Sequence, residues 1–182
     1  MLVTRHPRPL DARPALQQDR RSFSTASLGG TGNAIANLNQ RFFIAESGRA
    51  SQYYDELHQR FQNEWPEYPP LDTVGQAVPK PVVALAFSGA LAGGLAFAEA
   101  KAPLSKERAI WINAVLVAPE YRRQGLGSQL ILAAEASAVQ LGISRLFALT
   151  ELPALYCKLN WSILSSHNVD FIMSRELGAG GQ

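Results

Sequence analysis

The run "AIWINAVLVAP", Ala109 to Pro119, constrains the fold of this chain more than any other stretch. It is apolar almost throughout. A run of this kind is expected for a central strand buried on both faces of a sheet. Directly after it comes "YRRQGLGSQL", Tyr121 to Leu130, with two arginines, a glutamine and two glycines. The next residues read as a helix. Leu130, Ala133, Ala134, Ala138 and Leu141 fit the i, i+3, i+4, i+8, i+11 template, and Gly142 is placed as the C-terminal cap. The helix then begins at about Gly125. Its glycines carry a cost, because glycine in a helix interior is about 1 kcal/mol less favourable than alanine.

The flanking segments supply the other elements. "RFFIAE" reads as a short strand. "ASQYYDELHQRFQNEWP" reads as a helix with Tyr54, Leu57, His58 and Phe61 on one face and Pro66 ending it. "PEYPPLDTVGQAVPKP" is a proline-rich loop. "VVALAFSGALAGGLAFA", Val82 to Ala98, is uncharged and approaches the roughly 17–25 residues of a membrane span. Ser88-Gly89-Ala90 divides it, however, and both halves suit buried strands. It therefore reads as a β-hairpin of Val82–Phe87 and Leu91–Ala98. "APLSKER" is a charged loop, "SRLFALT" a strand, "LPALYCKLN" a short helix, and "WSILSS" and "VDFIMSREL" two closing strands. The order is β-α-β-β-β-α-β-α-β-β without internal repeat, an α/β domain.

Composition narrows the function classes. The chain has 182 residues, enough for one domain with a real core. Its formal charge of +2 and the lack of a basic run with interleaved aromatics argue against nucleic acid as partner. One cysteine, Cys157, excludes an internal disulfide and a cysteine-rich zinc site. His6, His58 and His167 show no metal-ligand spacing, so no metal is expected. A reducing, cytoplasmic setting is the default. Residues 1–39 stand apart, with Arg5, Arg8, Arg13, Arg20 and Arg21 against Asp11 and Asp19, followed by a polar, glycine-rich stretch. A disordered extension is expected there. A mitochondrial leader is the alternative, but Pro7, Pro9 and Pro14 would break the amphipathic helix it needs.

The Tyr121–Leu130 stretch has the makings of an anion site. The first-turn N–H groups of a helix lack internal partners and carry the positive end of its dipole. Small residues let a phosphate approach them. Gly125 and Gly127 would give access, Ser128 a hydroxyl, and Arg122 and Arg123 charge at the rim. The plainer alternative is a turn followed by glycines that only start a helix. Neither GxGxxG nor GK[ST] is present, which speaks against dinucleotide and Mg-nucleotide binding.

"VLVAPEYRRQGLGSQLI" resembles the signature of the GNAT (GCN-related N-acetyltransferase) superfamily, R/Q-x-x-G-x-G/A after a central strand, with Arg122, Gly125 and Gly127 at its fixed positions. "LYCKLNWSIL" is similar to the family's F-Y-x-K-L-G-F/W segment, and "FIMSREL" to its terminal strand. The likeness covers roughly Arg41 to Leu177 and places the domain at residues 40–178. It implies a single domain whose mixed central sheet splays between its fourth and fifth strands, Ile110–Val117 and Arg145–Thr150. It implies acetyl-CoA as acetyl donor and a primary amine as acceptor, on a small molecule or at a peptide N-terminus or lysine. The pantetheine arm would enter the splay and pair with backbone groups of Leu116 and Val117. Arg122, Arg123, Gln124, Gly125, Leu126, Gly127 and Ser128 would hold the pyrophosphate. Tyr156 matches the family tyrosine that protonates the departing thiolate.

Two positions depart from the pattern. Asn160 stands where the family has glycine before the aromatic; asparagine is the next best residue for a left-handed helix end. Trp111, Asn113 and Val115 occupy the stretch where some members carry a glutamate base. Glu64, Glu99 and Glu151 are other candidate bases, Glu151 the best placed. Cys157, beside Tyr156, has no visible activating partner and reads as structural. Trp65, Tyr68 and Trp111 read as core, although "NEWPEYPP" and the hairpin would line the acceptor pocket by analogy. Membrane insertion is not expected, a homodimer stays open, and a non-catalytic CoA-binding module on the same fold is the competing reading.

Overall fold

A computed structural model describes residues 42–71, 78–103, 105 and 107–178. The expectations about residues 1–39 lie outside these. The described elements keep the order read from the sequence: β1 (Phe42–Glu46), α1 (Gln52–Glu64), β2 (Val82–Ala86), β3 (Leu91–Lys101), β4 (Arg108–Val117), α2 (Leu126–Gln140), β5 (Arg145–Thr150), α3 (Pro153–Cys157), β6 (Ser162–His167) and β7 (Asp170–Glu176). They build a seven-stranded sheet in the order β1-β2-β3-β4-β5-β7-β6. β4 and β5 run parallel, and the other neighbours run antiparallel. The uncharged Val82–Ala98 stretch is the β2–β3 hairpin. No helix among the described residues is long and apolar enough to cross a membrane.

The sheet is covered on both faces. On one, α2 lays Leu126, Leu130, Ile131, Ala134 and Ala138 against Ile110, Ile112, Val115 and Val117 of β4. On the other, α1 lays Tyr53, Leu57 and Phe61 against Val83, Leu91, Ala96 and Ala114. The expected α1 face shifts by one residue at its start. Ser51 caps the helix by accepting from the Tyr53 N–H at 3.3 Å, and the i, i+4, i+8 row from Tyr53 points inward. The Tyr53 hydroxyl donates to the Gly89 carbonyl at 3.3 Å, so Tyr54 and His58 are left half-buried at the side. In α2, Leu141 falls off the inner stripe because the helix ends at Gln140, and it is 57% exposed. Gly142 (φ 72°) ends that helix as anticipated. Its N–H bonds to the Val139 carbonyl at 3.0 Å, and the Ile143 N–H reaches back to Ala138 at 3.0 Å.

Two strand irregularities shape the sheet. Ala96 pairs with Ala114 and Phe97 with Ile112, so Asn113 is an extra residue on β4. Such a bulge bends its strand and sharpens the twist. It also reverses the alternation of side chains. Ile110 and Ile112 face α2 before it, and Val115 and Val117 face α2 after it. In β3, Gly94 sits under Leu57. A Cβ there would lie 2.4 Å from Leu57 Cδ1 and 3.0 Å from the Val82 carbonyl oxygen. Leu57 is fully buried and has little room to yield. Gly94→Ala is therefore expected to cost about 1–3 kcal/mol, read as a lower midpoint in chemical denaturation. An unchanged midpoint would show that α1 does not depend on this close approach.

Candidate functional site

The parallel ladder between β4 and β5 holds for three pairs, Ile110↔Leu146, Trp111↔Phe147 and Ile112↔Ala148, and then stops. It stops at the bulge. Both strands remain held on their outer sides: β3 pairs β4 as far as Gly93↔Val117, and β7 pairs β5 as far as Thr150↔Phe171. The inner edges of 113–117 and 149–150 thus diverge with no strand between them. Antiparallel ladders alternate, and the Ala118 N–H bonds to the Ala92 carbonyl at 2.9 Å. Counting back, Leu116 turns its N–H and C=O toward β3, and Val115 and Val117 turn theirs into the gap. A Cβ built on Gly93 would lie 2.5 Å from the Leu116 oxygen, in line with that direction. Of the two strand residues named from the sequence, Val117 therefore presents backbone to the gap. Leu116 does not, and Val115 takes its place. The bulge that sets this phase leaves no mark in an apolar run.

At the end of β4 the chain makes a 3₁₀ turn over Pro119–Tyr121. Tyr121 packs edge-on against Phe42, 5.7 Å between centroids, which anchors the turn to β1. Arg122 folds back, donating Nε to the Val117 carbonyl at 3.0 Å. Gln124 Nε2 donates to the Glu120 carbonyl at 3.2 Å. Arg123 (φ 59°) and Gly125 (φ 80°) are both left-handed, and Gly125 is the N-cap of α2. No side chain caps this helix. The first-turn N–H groups of Leu126, Gly127 and Ser128 come before the first internal bond, from Gln129 to the Gly125 carbonyl at 3.2 Å. A Cβ on Gly125 would meet nothing within 4 Å. Glycine is needed there for its φ, and the space in front of the helix end is open.

β4 and β5 are parallel, so the segments leaving the two strands lie at the same end of the sheet. The Arg122–Ser128 turn and α3 flank the mouth of the gap. The Thr150 hydroxyl accepts from the Leu152 N–H at 3.0 Å and starts the turn into α3. Tyr156 is fully buried there, and Cys157 beside it is an exposed free thiol, as neighbours on a helix should diverge. Asn160 takes the left-handed helix-end conformation (φ 61°), so the turn survives the loss of glycine. Its N–H bonds to the Cys157 carbonyl at 3.0 Å, and the Trp161 N–H bonds to that of Tyr156 at 3.1 Å.

No carboxylate of β4 faces the gap. Asn113 is buried and donates Nδ2 to the Tyr68 hydroxyl at 3.0 Å; its Oδ1 finds no partner among the described residues. Burial pushes the Tyr68 hydroxyl well above the usual phenol range, against the opposing pull of the Asn113 bond, and it stays neutral. Tyr68 and Trp111 are core, and Trp65 packs at a tilt against both Phe61 and Tyr68, which also touch each other. Glu99 is bonded to Arg108 at 2.9 Å, near the other end of β4. Glu64 closes α1, and Glu151 is exposed directly after β5. A cavity of about 230 Å³ lies elsewhere, lined by Ser47, Arg49, Tyr54, Lys80, Pro81 and Phe97 among others, and it takes in no residue of the gap or the Arg122–Ser128 turn.

The profile of the acetyltransferase (GNAT) family matches residues 50–158. Among proteins of curated function, none matches the sequence. Solved structures do. A phosphinothricin acetyltransferase from Sinorhizobium meliloti, in complex with acetyl-CoA, superposes with a TM-score of 0.62 at 16% identity over 78% of this chain and 91% of that one. A GNAT family N-acetyltransferase from Escherichia coli, in complex with CoA, gives 0.59 at 18% identity over 76% and 82%. A GNAT family acetyltransferase from Elizabethkingia anophelis, with acetyl-CoA bound, gives 0.56 at 16% identity over 76% and 100%.

Proposed function

Because the chain belongs to the acetyltransferase (GNAT) family, we propose that it transfers an acetyl group from acetyl-CoA to a primary amine by direct attack in a ternary complex. The observation that carries this reading is the gap between β4 and β5, whose β4 edge pairs with no strand beyond Ile112 and has only the Val117 carbonyl bonded back to Arg122, with an uncapped helix end at its mouth. The pantetheine arm pairs as a strand with the gap-side groups of Val115 and Val117. The pyrophosphate lies on the first turn of α2, with Arg123 adding charge. A gap-side N–H aimed at the thioester oxygen stabilises the charge that grows there as the amine adds. Tyr156 gives its proton to the sulfur as the carbon–sulfur bond breaks, and the amine nitrogen loses one to solvent. Holding donor and acceptor in line makes the attack effectively intramolecular and supplies much of the rate.

A non-catalytic CoA-binding module is the second reading. The observation in its favour is Asn113 in the stretch where a base would stand. Free-thiol release from acetyl-CoA across a panel of amines separates the two: turnover with an amine supports the enzyme, and tight CoA binding without any turnover supports the module. Tyr156→Phe is expected to lower kcat by about 10²-fold. An unchanged kcat at every pH would remove the acid role.

With no carboxylate on β4 to take the proton, the acceptor is expected to arrive neutral. For acceptors of different basicity, kcat/KM should rise with pH up to each amine's own pKa and level off there. A rise at one fixed pH for all of them would point to a base on the protein. Gly127→Val is expected to raise the KM for acetyl-CoA by about tenfold or more, roughly 1.4 kcal/mol. Arg123→Ala should give a smaller loss that fades with added salt. Normal CoA binding by Gly127→Val in calorimetry would end the cradle reading of this turn.

A further inference from the structure

Tyr156 stands on a helix of five residues, too short to hold its own shape. Part of its support comes from outside that helix. Its ring meets that of Trp161 edge-to-face, 5.1 Å between centroids at 75°. Trp161 is buried and donates its indole N–H to Glu135 Oε1 at 2.6 Å. Glu135 belongs to α2, the helix whose first turn opens on the gap. Its other oxygen lies 3.6 Å from Arg175 Nε on β7, and Arg175 Nη1 donates to the Asn160 carbonyl at 2.8 Å. Three parts of the fold, α2, β7 and the turn after α3, thus meet at one carboxylate that is only 12% exposed.

We propose that Glu135 is a positioning residue for Tyr156. It holds the Trp161 indole, and the indole holds the tyrosine ring in register with the helix end that binds the donor. The proposal rests on the reading of Tyr156 as general acid. The chemistry suits the task. A bond from a neutral donor to a carboxylate is short and strong, and partial burial strengthens it further. Arg175 lies beside the carboxylate and ties it to Asn160, the left-handed residue that ends the turn after α3. Without Glu135, nothing else among the described residues accepts the Trp161 N–H, and Arg175 loses its counter-charge.

The test is a double-mutant cycle of Glu135→Ala and Tyr156→Phe on thiol release from acetyl-CoA, with the best amine of the panel. Glu135→Ala should lower kcat about tenfold, with the KM for acetyl-CoA changed by less than about twofold. In the Tyr156→Phe background it should have no further effect. Glu135→Gln keeps an oxygen for the indole and should recover kcat to within about threefold of wild type. If the two losses multiply, Glu135 does not act through Tyr156, and the acid reading stands alone. If Tyr156→Phe keeps full kcat, both readings fall. Trp161→Phe replaces Glu135→Ala should that variant not fold. A second readout needs no turnover. In NMR spectra of the CoA-bound protein, Glu135→Ala should shift or broaden the Tyr156 ring resonances, and unchanged resonances would overturn the proposal.

Discussion

In β4, Asn113 has no opposite number in β3. It falls between Ile112, which faces Phe97, and Ala114, which faces Ala96. The rest of the site depends on this extra residue. It bends β4 where the ladder to β5 ends, and it reverses which side chains face α2, so that Val115 and Val117 continue the stripe begun by Ile110 and Ile112. A bulge gives up ladder hydrogen bonds, and here part of the loss is offset by a side chain. Asn113 bonds to the buried Tyr68 hydroxyl, which is brought in by the chain just beyond α1. A buried bond of this kind contributes only about 1 kcal/mol, yet leaving either partner unsatisfied would cost more. The segment after α1 is thereby fastened to the point where the sheet opens.

The helices contribute mainly through their ends. Gly125 starts α2 in a left-handed conformation and leaves its first turn uncapped; Gly142 stops it; Asn160 turns the chain after α3. A side chain can occupy such a conformation only at a cost, which asparagine bears best among residues other than glycine. Each of these three positions sets where a neighbouring element points. The middle of α2 packs the core in the ordinary way, except at Glu135, which looks across to Trp161, and Ser137, which donates to Glu46 of β1.

Much of this is legible in the sequence, for a physical reason. Apolar runs, period and helix-end residues are local signals. They place the central strand, the Val82–Ala98 hairpin and the start of α2 at Gly125, and the family resemblance adds the left-handed turn at Asn160. Register escapes them. Nothing in "AIWINAVLVAP" marks which residue is the extra one, so Leu116 reads as gap-facing although its backbone turns to β3. The inner face of α1 starts at Tyr53 rather than at the expected Tyr54 for a related reason, because the row depends on where Ser51 begins the helix. The Glu135–Trp161 bond joins residues 26 apart in the chain, and no periodicity announces it.

The gap also bears on what sequence can record at all. Its walls offer the main chain of Val115 and Val117, and a peptide N–H or carbonyl is the same whatever side chain stands beside it. A partner of the kind proposed for it would be recognised by its length and its spacing of donors and acceptors, like one more strand. The side chains of these residues serve the core beneath α2 instead. Their identities answer to packing, and they could be exchanged for others of like volume without altering what the gap can hold. The helix end beside it has no such freedom, because glycine is required there. Of the two halves of the proposed binding surface, one is therefore written in the residues and the other only in the path of the backbone.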